Sequence, residues 1–137
     1  MKRPDGMKGI DVSALSEEHH EKDSRKSRLL LEARILWERG QEAEALDAYA
    51  EVARLEEELM QEARDAGIWQ KFFIHGFSAA HCWIKASNFY RARQLCHIIL
   101  QQPDITPPLK ERAGALLEGL QDGQRAYWAS VQQRAAA

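Results

Sequence analysis

From Leu29 onward the apolar residues of this chain recur at steps of three and four and nowhere alternate, which commits it to helices. Leu29, Leu30, Ala33, Leu36 and Trp37 make a first stripe, and Gly40 supplies the corner that ends it. A second stripe follows at once through Ala45, Leu46, Tyr49, Val52, Ala53, Leu59, Met60 and Ala63, with acidic and basic residues opposite. Neither proline nor glycine falls between Gln41 and Ala66, so this helix is expected to be long. Gly67 opens an aromatic connection, Ile68 to Gly76, that enters a third stripe of Phe77, Ala80, Trp83 and Ile84. After a corner near Ser87-Asn88 come Phe89, Ala92, Leu95, Cys96, Ile99 and Leu100, a run that Pro103 and Asp104 stop. Thr106-Pro107-Pro108 is a helix start, because a proline in the first turn forfeits no intrahelical hydrogen bond. The last stripe holds Leu109, Ala113, Leu116, Leu117 and Leu120; it either breaks at Asp122-Gly123 or continues through Tyr127, Trp128 and Val131. The expected fold class is all-α, in antiparallel hairpins.

Residues 1 to 26 lack such a stripe. Their mixed charges, including the run from Ser16 to Lys26, predict a flexible tail ahead of a helical domain spanning 27–137, with Ile10, Val12 and Leu15 its one apolar cluster. His19-His20 within that run reads as solvated surface.

Charge narrows the function classes. With 19 basic and 21 acidic residues, the net charge of −2 gives no electrostatic case for nucleic acid or for an anionic membrane. The uncharged run from Ile74 to Ile84 is about half a bilayer span, so no membrane helix is expected. At 137 residues the chain can bury a core without a disulfide framework, and its two cysteines lie far apart. A reducing, cytoplasmic location is the expectation.

Little in the sequence points to catalysis. It holds no nucleophile elbow, phosphate loop, HExxH or CxxC pair, so neither an enzyme nor a cofactor is expected. Glu56-Glu57-Glu58 reads as a solvated run. His81-Cys82 and Cys96-His97 straddle the corner near Phe89 and form a zinc-like set by composition. Neighbours on a helix point about 100° apart, however, which turns each pair away from a single ion. A helical bundle binding a ligand or metal through these four residues is the alternative function. Trp69, Phe72, Phe73 and Phe77 fill a core or form an anchor surface, and the same question attaches to Tyr127 and Trp128 near the chain end.

An internal repeat decides between architectures. Ala33, Leu36, Gly40, Ala45, Tyr49 and Val52 superimpose on Ala80, Trp83, Ser87, Ala92, Cys96 and Ile99 at a constant offset of 47 positions. This spacing resembles the tetratricopeptide repeat, with Ser87 in place of a corner glycine and Glu42 where that family has an aromatic residue. The resemblance covers about residues 26 to 103 and implies two stacked hairpins with a C-terminal capping helix. It further implies a non-catalytic module, an adaptor, chaperone-like protein or scaffold, that receives a peptide or a partner helix along its first helices. Carried over by position, the implied groove residues are Leu30, Arg34, Trp37 and Glu38, then Ile74, Phe77, His81, Ile84 and Lys85. Short arrays leave their ends uncovered, so self-association is a companion expectation.

Overall fold

The computed structural model describes residues 15 to 136 and is all-α. Five helices follow in order: α1 Glu17–Glu38, α2 Glu42–Asp65, α3 Trp69–Lys85, α4 Phe89–Leu100 and α5 Pro107–Ala136. Each packs on the next, so the chain forms a consecutive array of hairpins.

Three of the four corners share one backbone solution. At Gly40 and Gly67, φ is +77° and +74°, a left-handed conformation that glycine adopts without steric cost. At the first corner the Gly40 amide donates to the Trp37 carbonyl and the Gln41 amide to the Leu36 carbonyl, each at 3.0 Å. The pair satisfies two carbonyls that the helix end leaves free. Gly67 and Ile68 repeat it onto Arg64 and Ala63, and Ser87 and Asn88 repeat it onto Ile84 and Trp83. Ser87 does so at φ 64°, so the corner that lacks glycine still takes the left-handed form. Asn88 then caps α4, its side-chain oxygen accepting from the Arg91 amide at 3.1 Å.

The core lies among α2, α3 and α4, closed by α5. Val52, Leu59, Phe72, Phe77, Leu95, Cys96 and Ile99 are fully or almost fully buried. Gly76 sits where three helices meet. A Cβ there would stand 3.2 Å from both Met60 Sδ and Ile99 Cδ1, so its bare backbone sets the closeness of α3 to its neighbours. α5 is a single helix that runs through Asp122-Gly123 without a break.

Four sequence expectations need correction. The tail boundary at residue 26 is wrong for residues 17–26, which form the first turns of α1; Ser16 caps them by accepting from the His19 amide at 3.1 Å. Ile10 and Val12 lie outside the described residues. His19 is buried rather than solvated, and so is Glu56. Phe77 belongs to the core at 2% exposure, with the Arg112 guanidinium 4.3 Å from its ring centre.

Candidate functional site

Polar residues on the inward stripes of α1, α2 and α3 build a buried seam. The Glu62 carboxylate accepts from His19 Nδ1 at 2.9 Å and from Lys22. Lys71 Nζ lies 3.3 Å from His19 Nε2, which identifies that nitrogen as the acceptor and Nδ1–H as the donor to Glu62. One level further along, Glu56 Oε1 meets Lys26 Nζ at 3.1 Å and His75 Nδ1 at 3.2 Å. The two imidazoles stand edge to face with ring centres 6.1 Å apart, and His75 Nε2 is buried without a partner.

Burial pulls the His19 imidazole below its usual range, outweighing the Glu62 carboxylate that favours its charge. Burial pushes Glu62 the other way, but Lys22 and His19 together hold it below the carboxylate range. Lys26 is likewise penalised by burial and still held above the usual lysine range by Glu56 and Asp23. Carboxylate–imidazole pairs serve acid–base chemistry where substrate can reach them. Here His19, Glu56 and His75 are all closed off from solvent, and the geometry ties α1 to α2 and α3.

The nine residues of the expected groove differ in exposure. Arg34, Trp37, Glu38, Ile74, His81 and Lys85 are exposed, Leu30 and Ile84 are half-buried, and Phe77 is inaccessible. Among the described residues no side-chain hydrogen bond or ion pair joins any two of them. Lys85 instead extends over the Tyr49 ring, 5.4 Å from its centre. Although His81 reaches solvent, partial desolvation of its ring, with Arg112 and Lys85 nearby, lowers its affinity for a proton.

Cys82 and Cys96 face the core while His81 and His97 are exposed, so the two pairs diverge as adjacent helical positions must. Burial pushes the Cys82 thiol up to about 11. Among the described residues, no group of three or more His, Cys, Asp or Glu is placed to hold a metal ion. The expectation of a solvated Glu56-Glu57-Glu58 run fails for two of the three: Glu57 accepts from Arg91 Nε at 3.0 Å and from the Trp83 indole at 2.6 Å.

The open apolar feature lies at the other end of the array. Ile84 and Phe89, flanking the α3–α4 corner, face Leu116, Leu120, Tyr127 and Trp128 of α5 across a groove of about 930 Å³. Gly119 and Gly123 line the same groove, and a Cβ on either would meet nothing within 4 Å. Phe89 is 40%, Tyr127 60% and Trp128 61% exposed. Leu117, Leu120, Gln124, Tyr127 and Val131 continue the inward stripe of α5 at alternating steps of three and four. Arg93 of α4 hydrogen-bonds Gln124, and from Arg125 to Ser130 every residue of α5 is exposed. Sequence pattern marked Ile84, Tyr127 and Trp128 individually. What it lacked was the length of α4, which determines where α5 outruns its support. No helix among the described residues is long and apolar enough to cross a membrane. Comparison with family sequence models, with curated proteins and with solved structures finds no match.

Proposed function

We propose that this chain is a non-catalytic protein–protein interaction module, built as two tetratricopeptide-like hairpins with α5 as cap, and that its docking surface is the groove between the α3–α4 corner and α5. One observation carries the reading: the inward apolar stripe of α5 runs past the last helix able to cover it, leaving Tyr127 and Trp128 open beside Phe89. Grouped aromatics of this kind supply most of the affinity at protein interfaces. The shape, a trough walled by one helix and a corner, suits an amphipathic helix laid along it. An adaptor or scaffold in the cytoplasm is the setting that fits such a module.

Site-specific photo-crosslinking tests this. A benzophenone amino acid replacing Trp128 should form an adduct with another polypeptide in the source cells, and Ile84→Asp should abolish that adduct. The same probe at Arg28, exposed on α1, should give none. Equal adducts from both positions, or none from position 128, would remove the groove from consideration. An adduct from Trp37 alone would return the docking surface to the first helices of the hairpins.

A further inference from the structure

We infer that the helix occupying this groove is α5 of a second copy of the chain, the two running antiparallel about a two-fold axis near Gly123. The inference rests on the interaction reading above and names its partner.

The first argument is economy of cover. The part of α5 beyond Gln124 is about 12 residues, roughly 18 Å of helix at 1.5 Å per residue. A helix of that length is marginal in water unless something packs on it. The groove and the unsupported segment lie on the same helix and share Tyr127 and Trp128. A two-fold contact therefore covers both at once, each copy laying its free segment along the other's groove. Isologous pairs of this type are the commonest oligomers.

The second argument is charge. Between Ala113 and Ala136 α5 carries two acids, Glu118 and Asp122, and two bases, Arg125 and Arg134, so the segment is neutral. At 100° per residue, Glu118, Asp122 and Arg125 fall on the side opposite Leu120 and Tyr127. The flanks of the stripe are Gly119, Gln121, Ser130 and Gln132. Arg134, about 40° from Leu120, is the one charge on this face and sits near its end; the rest is uncharged, so a partner is held there by apolar contact rather than by ion pairing. The bare backbone at Gly119 and Gly123 leaves room for an aromatic ring from the other copy.

The third argument is area. At 150–250 Å² per aromatic side chain, the exposed fractions of Phe89, Tyr127 and Trp128 amount to roughly 300 Å² per copy. With the aliphatic and glutamine positions of the same face, two copies cover on the order of 1,200 Å², the lower bound for a stable, specific interface.

Sedimentation equilibrium of the purified full chain, up to about 100 µM, tests the inference. The wild type should fit twice the monomer mass. The double variant Tyr127→Ala/Trp128→Ala should be a folded, helical monomer by circular dichroism, with a thermal midpoint below that of the wild type at the same concentration. Trp128→Glu is the second variant: position 128 is exposed in the single chain, so it spares the fold, while placing a carboxylate in the apolar contact. It should weaken the dimer by at least about tenfold. A monomeric wild type at 100 µM overturns the second-copy inference, and crosslinks from position 128 to a different protein would then leave the interaction reading standing. A folded Trp128→Glu that dimerises as tightly as wild type overturns it equally.

Discussion

Glu56 is the residue whose removal should cost this fold most for its size. Its carboxylate is 2% exposed and accepts from Lys26 at 3.1 Å and His75 at 3.2 Å. Glu56→Ala deletes both bonds and leaves an ammonium and an imidazole in a poorly solvated seam. Breaking a buried ion pair by removing one partner costs about 3–5 kcal/mol, because the remaining charge has nothing to compensate it. Lys26 retains Asp23 at 3.1 Å, which places the expected loss near the low end, at about 3 kcal/mol. With a urea slope of about 1.5 kcal/mol per molar, the unfolding midpoint at pH 7.5 should fall by about 2 M. Glu58→Ala is the control: its side chain is 56% exposed, with Lys22 no closer than 4.0 Å, so its effect should stay within about 0.5 kcal/mol. Glu56→Gln, which keeps an acceptor but not the charge, should fall between the two. If Glu56→Ala shifts the midpoint no further than Glu58→Ala, the seam is not a stabilising contact and its geometry has been misread.

Acid should weaken the fold through His19: burial holds its folded-state pKa below 6.5, so the unfolded chain binds more protons at mildly acidic pH. Stability should be full above pH 6.5 and decline as pH falls from there through the folded-state value; a urea midpoint that rises from pH 7 to 5.5 would contradict this. Cys82, with its thiol pushed up to about 11, and buried Cys96 should resist iodoacetamide at pH 8 until urea unfolds the chain, as mass spectrometry can follow. Ser87→Gly relieves a left-handed serine and should raise stability by about 0.5–1 kcal/mol, a gain of a few degrees by calorimetry; a lower midpoint would mean the serine side chain matters there. Ala45→Leu and Ala92→Leu overfill sites with no free surface and should each cost about 1–3 kcal/mol in urea titrations, whereas Ala43→Leu on the exposed face should be nearly silent.

The order of the helices and their corners was legible, because each helix from Leu29 onward carries an apolar stripe and each corner a residue suited to reversing the chain. The aromatic stretch read as a connection is helical from Trp69, however, and the sequence left the continuity of α5 through Gly123 open. The start of α1 was not legible. Residues 17–26 carry no apolar period, and their inward positions hold His19, Lys22 and Lys26 instead. Counting back from Leu30 in helical steps would have placed those three on the inward side. The same step count assigns Glu56, since Val52, Glu56, Leu59 and Ala63 follow at four, three and four residues. Glu57 and Glu58 are rotated away from that line, so three consecutive glutamates have three different environments. Phe77 shows the opposite limit. Alignment to a repeat pattern assigned it to a groove, while its own stripe with Phe73 and Ala80 assigns it to the core, and the stripe is what burial obeys.

The two ends of the array use opposite chemistry, and that difference bears on what each end does. α1 buries only His19 and Ala33 completely, too little apolar area to choose its own alignment on α2. Charged contacts choose it at three levels: Arg25 with Glu51 at 3.8 Å, Lys26 with Glu56 at 3.1 Å, and His19 with Glu62 at 2.9 Å. A slide of one turn, about 5.4 Å, would break every level together and take Lys26 away from Glu56, leaving that carboxylate to His75 alone. Buried ion pairs contribute little net stability after desolvation, but they discriminate strongly between registers. The polar groups of that seam are matched within the chain, apart from His75 Nε2. At the far end of α5 the aromatic pair Tyr127 and Trp128 stays open beside Phe89, with Arg134 the one charge on that side of the helix. The proposed docking at α5 draws its driving force from that end, because association there covers Phe89, Tyr127 and Trp128, which the single chain leaves in water.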